Sequence, residues 1–219
     1  MINFKNVNTL FFDYDGTLHN SMKVYAPAFR KAYDYLVKEG LAEERVWADK
    51  EIAYWLGFNP QDMWRNFMPK LDESAREWCS GIISGEMKKM IEEGKPVLYE
   101  GTVETLTYLK NKGYRLVMIS NCKNYYKKCH SELFHLDEYF EEFACSEEYD
   151  FIPKSDILKK IISKYPEKMA IIGDRKQDID AGKINGIYTI GCTYGFPLVG
   201  ELDDADVQIG HIQELKNYF

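Results

Sequence analysis

Thr9-Leu10-Phe11-Phe12-Asp13-Tyr14-Asp15-Gly16-Thr17 decides how this 219-residue chain folds. The apolar run is too short for a helix and stops abruptly at two acids and a glycine. That pattern reads as a buried strand running out into a turn. Side chains at i and i+2 of an extended chain project to one side, so Asp13 and Asp15 are expected to face the same pocket. Gly16 lets the backbone turn sharply behind them. Two carboxylates held close need a cation or a shared proton to offset their repulsion. A hard ion with oxygen ligands, Mg²⁺ above all, suits them. An Asp-Gly pair after a strand is equally an ordinary turn, so this stretch by itself leaves both readings open.

From about Ser21 to Lys95 apolar residues recur at helical spacing, as in Tyr25, Phe29, Ala32, Tyr33 and Leu36. Gly40, Gly57 with Pro60, and Pro69 mark the breaks. All four tryptophans, Trp47, Trp55, Trp64 and Trp78, fall here, and most are expected to pack a small helical domain. After Pro96 helix and strand alternate. Helices are expected at residues 102–112, 123–134, 155–164 and 177–184, and strands at 115–120, 142–146, 169–173, 188–191 and 206–209. Such alternation implies a parallel sheet covered by helices on both faces. The fold class is α/β: a Rossmann-like parallel sheet core, residues 1–18 and 97–219, with an inserted all-helical domain at 19–96.

In doubly wound sheets ligands bind outside the carboxyl ends of the strands, so the polar residues at those ends carry the functional reading. Ser120-Asn121 follows Leu116–Ile119, where a hydroxyl and free backbone N–H groups could cradle a phosphate oxygen or cap the next helix. Lys154 opens a helical run, where the helix dipole disfavours a cation. Over a phosphate it would neutralise charge, although a solvated surface position is the commoner fate of a lysine. Gly173-Asp174 closes the strand Met169–Ile172, and Asp178 lies one helical turn further on the same side. Asp180 falls on a different face. Each signal is weak singly. Their order, one at each of four strand ends, carries the reading.

Bulk properties narrow the partners. There are 28 basic and 35 acidic side chains, a net charge of −7, which argues against nucleic acid or an anionic membrane. The hydrophobic share of 45% is enough for a real core. Cys79, Cys122, Cys129, Cys145 and Cys192 form no CxxC pair, which fits reduced thiols. No secretion signal and no apolar stretch of about 20 residues occurs, so a cytoplasmic protein is expected.

The succession DxDGT, Ser-Asn, Lys, GDxxxD resembles the four motifs of the haloacid-dehalogenase-like hydrolases, over nearly the whole chain. The helical insert resembles that family's C1-type cap, near the phosphoglycolate-phosphatase-like branch. The resemblance implies a Mg²⁺-dependent phosphatase. Asp13 would attack phosphorus and form an aspartyl-phosphate. Asp15 would protonate the leaving oxygen, then deprotonate the hydrolytic water, and would ligate Mg²⁺ through its carbonyl. Ser120 and the Asn121 backbone would hold phosphate oxygens, and Lys154 would balance charge. Asp13 and Asp174 would bind Mg²⁺ directly, with Asp178 in support. The cap would close over the site and set specificity.

Within the resemblance, Asp15 favours phosphate esters, because relatives that cleave other bonds lack an acid there. A β-phosphoglucomutase-like phosphosugar mutase is the alternative; Tyr25 stands where that branch generally carries a histidine. A receiver-like phosphoprotein would share the acids, hydroxyl and lysine, but its acceptor lies on an internal strand of a shorter chain. Asn20-Ser21 departs from the usual Asp-Ser at the cap hinge. The expected partner is a small phosphorylated metabolite, and the expected state a monomer or weak dimer. Leu56–Asp62 reads as a loop between cap helices that could touch the leaving group, with Arg65 as an anion contact, or simply as an interhelical turn.

Overall fold

The computed structural model describes residue 4, residues 6–56, residue 58, residues 60–165 and residues 168–219. The chain divides into two compact units, Met1–Asn20 with Leu98–Phe219, and Ser21–Val97. Chain order begins with β1 (Val7–Phe12). The helical unit follows: α1 (Met22–Lys38), α2 (Asp49–Ala53), α3 (Pro60–Phe67) and α4 (Glu73–Glu92). Then come α5 (Thr102–Asn111), β2 (Arg115–Ser120), α6 (Asn124–Phe134), β3 (Glu142–Cys145), α7 (Lys154–Ile161), β4 (Lys168–Gly173), α8 (Lys176–Ile184), β5 (Tyr188–Cys192) and β6 (Val207–Ile209).

The strands form one sheet in the order β3-β2-β1-β4-β5-β6, and every neighbouring pair is parallel. The α/β Rossmann-like reading of the core is therefore correct. β1 is central, with Phe12 opposite Met118 on one side and Ile172 on the other. Its sequence explains the position. Leu10 and Phe12 face one core with Leu106, Leu116, Met118 and Ile172. Phe11 faces the opposite core with Val117, Ile119, Ile157, Leu158 and Ile171. A strand buried on both faces is apolar without alternation. Phe11 and Phe12 are wholly enclosed, each contributing roughly 2–3 kcal/mol of burial free energy.

In the helical unit, Phe67 gathers the rings of Phe29, Trp47, Trp55 and Trp64 at centroid separations of 5.0–5.8 Å. Trp64 is buried, whereas Trp78 is 61% exposed and meets Tyr35 at its rim. The packing reading holds for three tryptophans and not for Trp78, which lies on the outer face of α4. The helix α3 already starts at Pro60, so Pro60-Gln61-Asp62 is its first turn and not a loop. Proline suits that position because the first helical N–H has no intrahelical acceptor. Gly57 and Asn59 of the same stretch lie outside the described residues. The run 155–164 is α7 plus a separate 3₁₀ turn at Ile162–Lys164, and α7 takes in Lys154 as its first residue.

Candidate active site

Three strands and two helices deliver side chains to one edge of the sheet; Lys154 stands at the start of α7, nine residues beyond the end of β3, and not at a strand end as its place in the sequence suggested. The Asp13 N–H donates to the Ile172 carbonyl at 2.8 Å, extending the β1–β4 ladder by one residue and fixing the carboxyl at the strand mouth. Asp174 follows the last residue of β4, and Ser120 is the last residue of β2. Lys154 arrives from the start of α7, and its ammonium donates to Asp13 Oδ1 and to Asp178 Oδ1, both at 2.6 Å. Asp178 is in the first turn of α8, where its Oδ2 accepts the Arg175 N–H at 3.0 Å and caps the helix. All four charged groups are buried.

One carboxylate oxygen from each of Asp13, Asp174 and Asp178 lies within 4.8 Å of the others. Charges about 5 Å apart in an effective dielectric of about 20 repel by roughly 3 kcal/mol per pair, and the one ammonium in contact reaches only two of the three acids. The electrostatics record that strain. Burial pushes Asp13 up to about 7 against the pull of Lys154, with Asp178 and Asp15 adding to the rise. Burial, with Asp13 and Asp178 nearby, holds Asp174 well above the carboxylate range. Lys154 is buried too, yet its two carboxylate partners keep its pKa raised.

The cluster fits a hard cation. Asp174 Oδ2 accepts the Phe196 N–H at 2.7 Å, while Oδ1 is buried with no hydrogen-bond partner. A carboxylate oxygen facing a nest of acids, bare of donors, is what an oxygen-seeking ion requires. The backbone closes tightly around it. Gly16 sits at φ +87°, and a Cβ there would come 2.2 Å from Asp174 Oδ2.

Asp15 differs from its neighbours. It is partly accessible and accepts a 2.7 Å hydrogen bond from the Tyr126 hydroxyl, with His19 Nδ1 at 3.1 Å. Burial would raise it, but the hydrogen bonds from His19 and Tyr126 leave its pKa below the ordinary carboxylate value.

The sequence-picked residues Asp13, Lys154, Asp174 and Asp178 are thus brought into contact or near contact, with Ser120 at the same sheet edge. Asn121 turns its side-chain amide to Gln177 Oε1 at 2.8 Å, linking the Ser-Asn loop to α8. Asp180 is exposed and paired with Lys176 at 2.9 Å. Arg65 is 65% exposed and lies 3.7 Å from Asp62 of its own helix. Sequence reasoning missed His19 and Tyr126, and also the loop after β5. There Phe196 N–H holds Asp174, and the Tyr194 hydroxyl donates to the Thr17 carbonyl at 2.8 Å. The glycine in Tyr194-Gly195-Phe196, just past a strand end, was the available signal.

A sequence model of the haloacid dehalogenase-like hydrolase family matches residues 10–192, from inside β1 to the end of β5. The chain belongs to the haloacid dehalogenase-like hydrolases. Among these hydrolases its likeness runs to the phosphoglycolate-phosphatase-like branch. It is 29% identical over 206 residues to a phosphoglycolate phosphatase of Haemophilus influenzae, covering 84% of this chain and 85% of the relative. It is 24% identical over 201 residues to the pyrophosphatase PpaX of Halalkalibacterium halodurans, covering 89% and 86%. A solved structure of a predicted phosphatase from Clostridium acetobutylicum shares the fold with a TM-score of 0.82 at 22% identity, over 97% of this chain and 98% of that one. Among the described residues, no helix of this hydrolase is long and apolar enough to cross a membrane.

Proposed function

We propose that this hydrolase is a Mg²⁺-dependent phosphatase that releases phosphate from a small phosphorylated metabolite through an aspartyl-phosphate on Asp13. The observation that carries the reading is the buried contact of Lys154 with Asp13 inside the three-acid cluster. A carboxylate at a strand mouth, charge-balanced by one lysine, is a nucleophile that a dianionic phosphoryl group can approach only where positive charge is supplied.

Asp13 attacks phosphorus in line, and the ester P–O bond breaks as the new one forms. The departing oxygen takes its proton from Asp15. Water then attacks the aspartyl-phosphate, Asp15 accepts the water's proton, and inorganic phosphate leaves with Asp13 restored. Ser120 Oγ and the Asn121 N–H donate to phosphoryl oxygens, while Lys154 offsets charge beside Asp13. Asp13, Asp174 and the Asp15 carbonyl would hold the ion, with Asp178 in support. When bound, Mg²⁺ supplies neutralising charge for the phosphoryl oxygens. The helical unit is taken as the C1-type cap that sets substrate choice.

The test is a screen of phosphorylated metabolites with Mg²⁺, run beside Asp13→Asn. Loss of turnover in the variant by a factor of at least about 10³ is expected, since the nucleophile is removed. Equal phosphate release by both proteins would overturn the reading. Conversion of one sugar phosphate into its isomer, without release of phosphate, would favour a phosphosugar mutase instead.

A further inference from the structure

Behind Asp15 lies an aromatic cluster that the proposed chemistry leaves unused. Tyr14 and His19 come from the turn after β1, and Tyr126 and His130 from α6. Tyr126 and His130 have ring centroids 3.9 Å apart, and His19 and His130 are 4.7 Å apart. Tyr14 stacks on His19 at 5.3 Å. Two polar atoms of the cluster converge on a single oxygen. The Tyr126 hydroxyl donates to Asp15 Oδ1 at 2.7 Å, His19 Nδ1 is 3.1 Å from the same atom, and the hydroxyl and the ring nitrogen are 3.1 Å from each other. His19 is wholly buried, whereas the Asp15 side chain keeps 24% of its surface accessible.

We infer that Tyr126 and His19 are positioning residues, clamping Asp15 Oδ1 from two elements so that Oδ2 is the oxygen that exchanges a proton with the departing group. The inference rests on the phosphatase reading and deepens it. A carboxylate held by one hydrogen bond still swings about its Cβ–Cγ bond. Two donors arriving from different elements fix its plane, and proton transfer is sensitive to such alignment. The His19 ring stacks on Tyr14, and the Tyr126 ring lies against His130. In the first step the electron pair of the breaking P–O bond passes to the leaving oxygen, which takes the proton from Oδ2. The more basic that oxygen, the more the step depends on a well-placed acid.

Phenyl phosphate and p-nitrophenyl phosphate have a similar shape and differ in the basicity of the departing oxygen, so their kcat/KM values separate alignment of the acid from general damage. With Mg²⁺ present, Tyr126→Phe is expected to lower kcat/KM about tenfold on phenyl phosphate and no more than about twofold on p-nitrophenyl phosphate. His19→Leu should behave likewise, and His19→Asn, whose amide N–H can stand in for Nδ1–H, should recover most of the loss. Tyr14→Phe disturbs the same rings without a bond to Asp15 and should move both substrates equally. If Asp15→Asn shows the leaving-group dependence while Tyr126→Phe and His19→Leu slow both substrates alike, the clamp is overturned and the phosphatase reading survives. If Asp15→Asn itself slows both substrates alike, the acid assignment falls and takes the clamp with it.

Discussion

Asp15 and Asp180 show how little residue type says without surroundings. Both are aspartates two residues past an acid of the site. Asp180 is exposed and makes an (i, i+4) pair with Lys176, an interaction worth about 0.3–0.5 kcal/mol. Asp15 has a buried histidine and a half-buried tyrosine on one oxygen, while its side chain stays 24% accessible. Asp15→Asn is therefore expected to cost at least about 10²-fold in kcat, and Asp180→Asn no more than about twofold. Steady-state assays of the two variants check this; matching rates would remove Asp15 from the acid–base role. His130 carries a second prediction. Burial, with His19 alongside, pulls its pKa down to about 3, against the attraction of Asp15. The Tyr14 hydroxyl lies 2.6 Å from His130 Nδ1. An unfolded histidine takes up its proton near pH 6.5, so the unfolded state binds more protons between that value and about 3. Stability contributed by neutral His130 is full above pH 6.5 and is lost as pH falls, by up to about 1.4 kcal/mol per unit. Asp13 and Asp174, raised in the fold, titrate with the opposite sign in both proteins, so the readout is the difference between wild type and His130→Gln: urea unfolding at pH 7, 6 and 5 should show the wild type losing stability relative to the variant as pH falls.

At the scale of elements, the strand-to-turn junctions carry the chemistry. The turn after β1 must pass beside Asp174, and only a residue without Cβ fits at Gly16. Gly16→Ala is expected to reduce activity by at least about 10²-fold and to destabilise the fold by about 1–3 kcal/mol, through positive-φ strain and displacement of Asp174. Activity and thermal melting of the variant test it; wild-type values for both would show that the turn has slack. The strand boundaries were legible because buried parallel strands are short apolar runs closed by polar residues, as at Arg115–Ser120. Helix starts were less so. Lys154 and Pro60 each begin a helix one or more residues earlier than periodicity indicates, since the first turn has no apolar repeat of its own.

For the molecule as a whole, three buried acids with one ammonium among them lead to the expectation that stability responds to a divalent ion. Mg²⁺ should raise the melting temperature of the wild type, corresponding to about 2.7 kcal/mol at a concentration a hundredfold above its Kd. EDTA should abolish turnover and Mg²⁺ restore it. Asp174→Asn should lose most of the Mg²⁺-dependent melting shift, a readout independent of activity. Full turnover in metal-free buffer would refute the metal assignment.

By themselves the residues determined the order of helices and strands, the parallel sheet and the polar punctuations after β1, β2 and β4. Those follow from local periodicity and from the polarity change where a buried strand surfaces. Only the tertiary structure decided that Lys154 bridges Asp13 and Asp178, that Asp174 keeps a bare oxygen, and that Tyr126, more than a hundred residues away in the chain, grips Asp15. Contacts of that separation depend on which strands lie side by side and how helices roll on the sheet. No spacing rule along the chain carries that information.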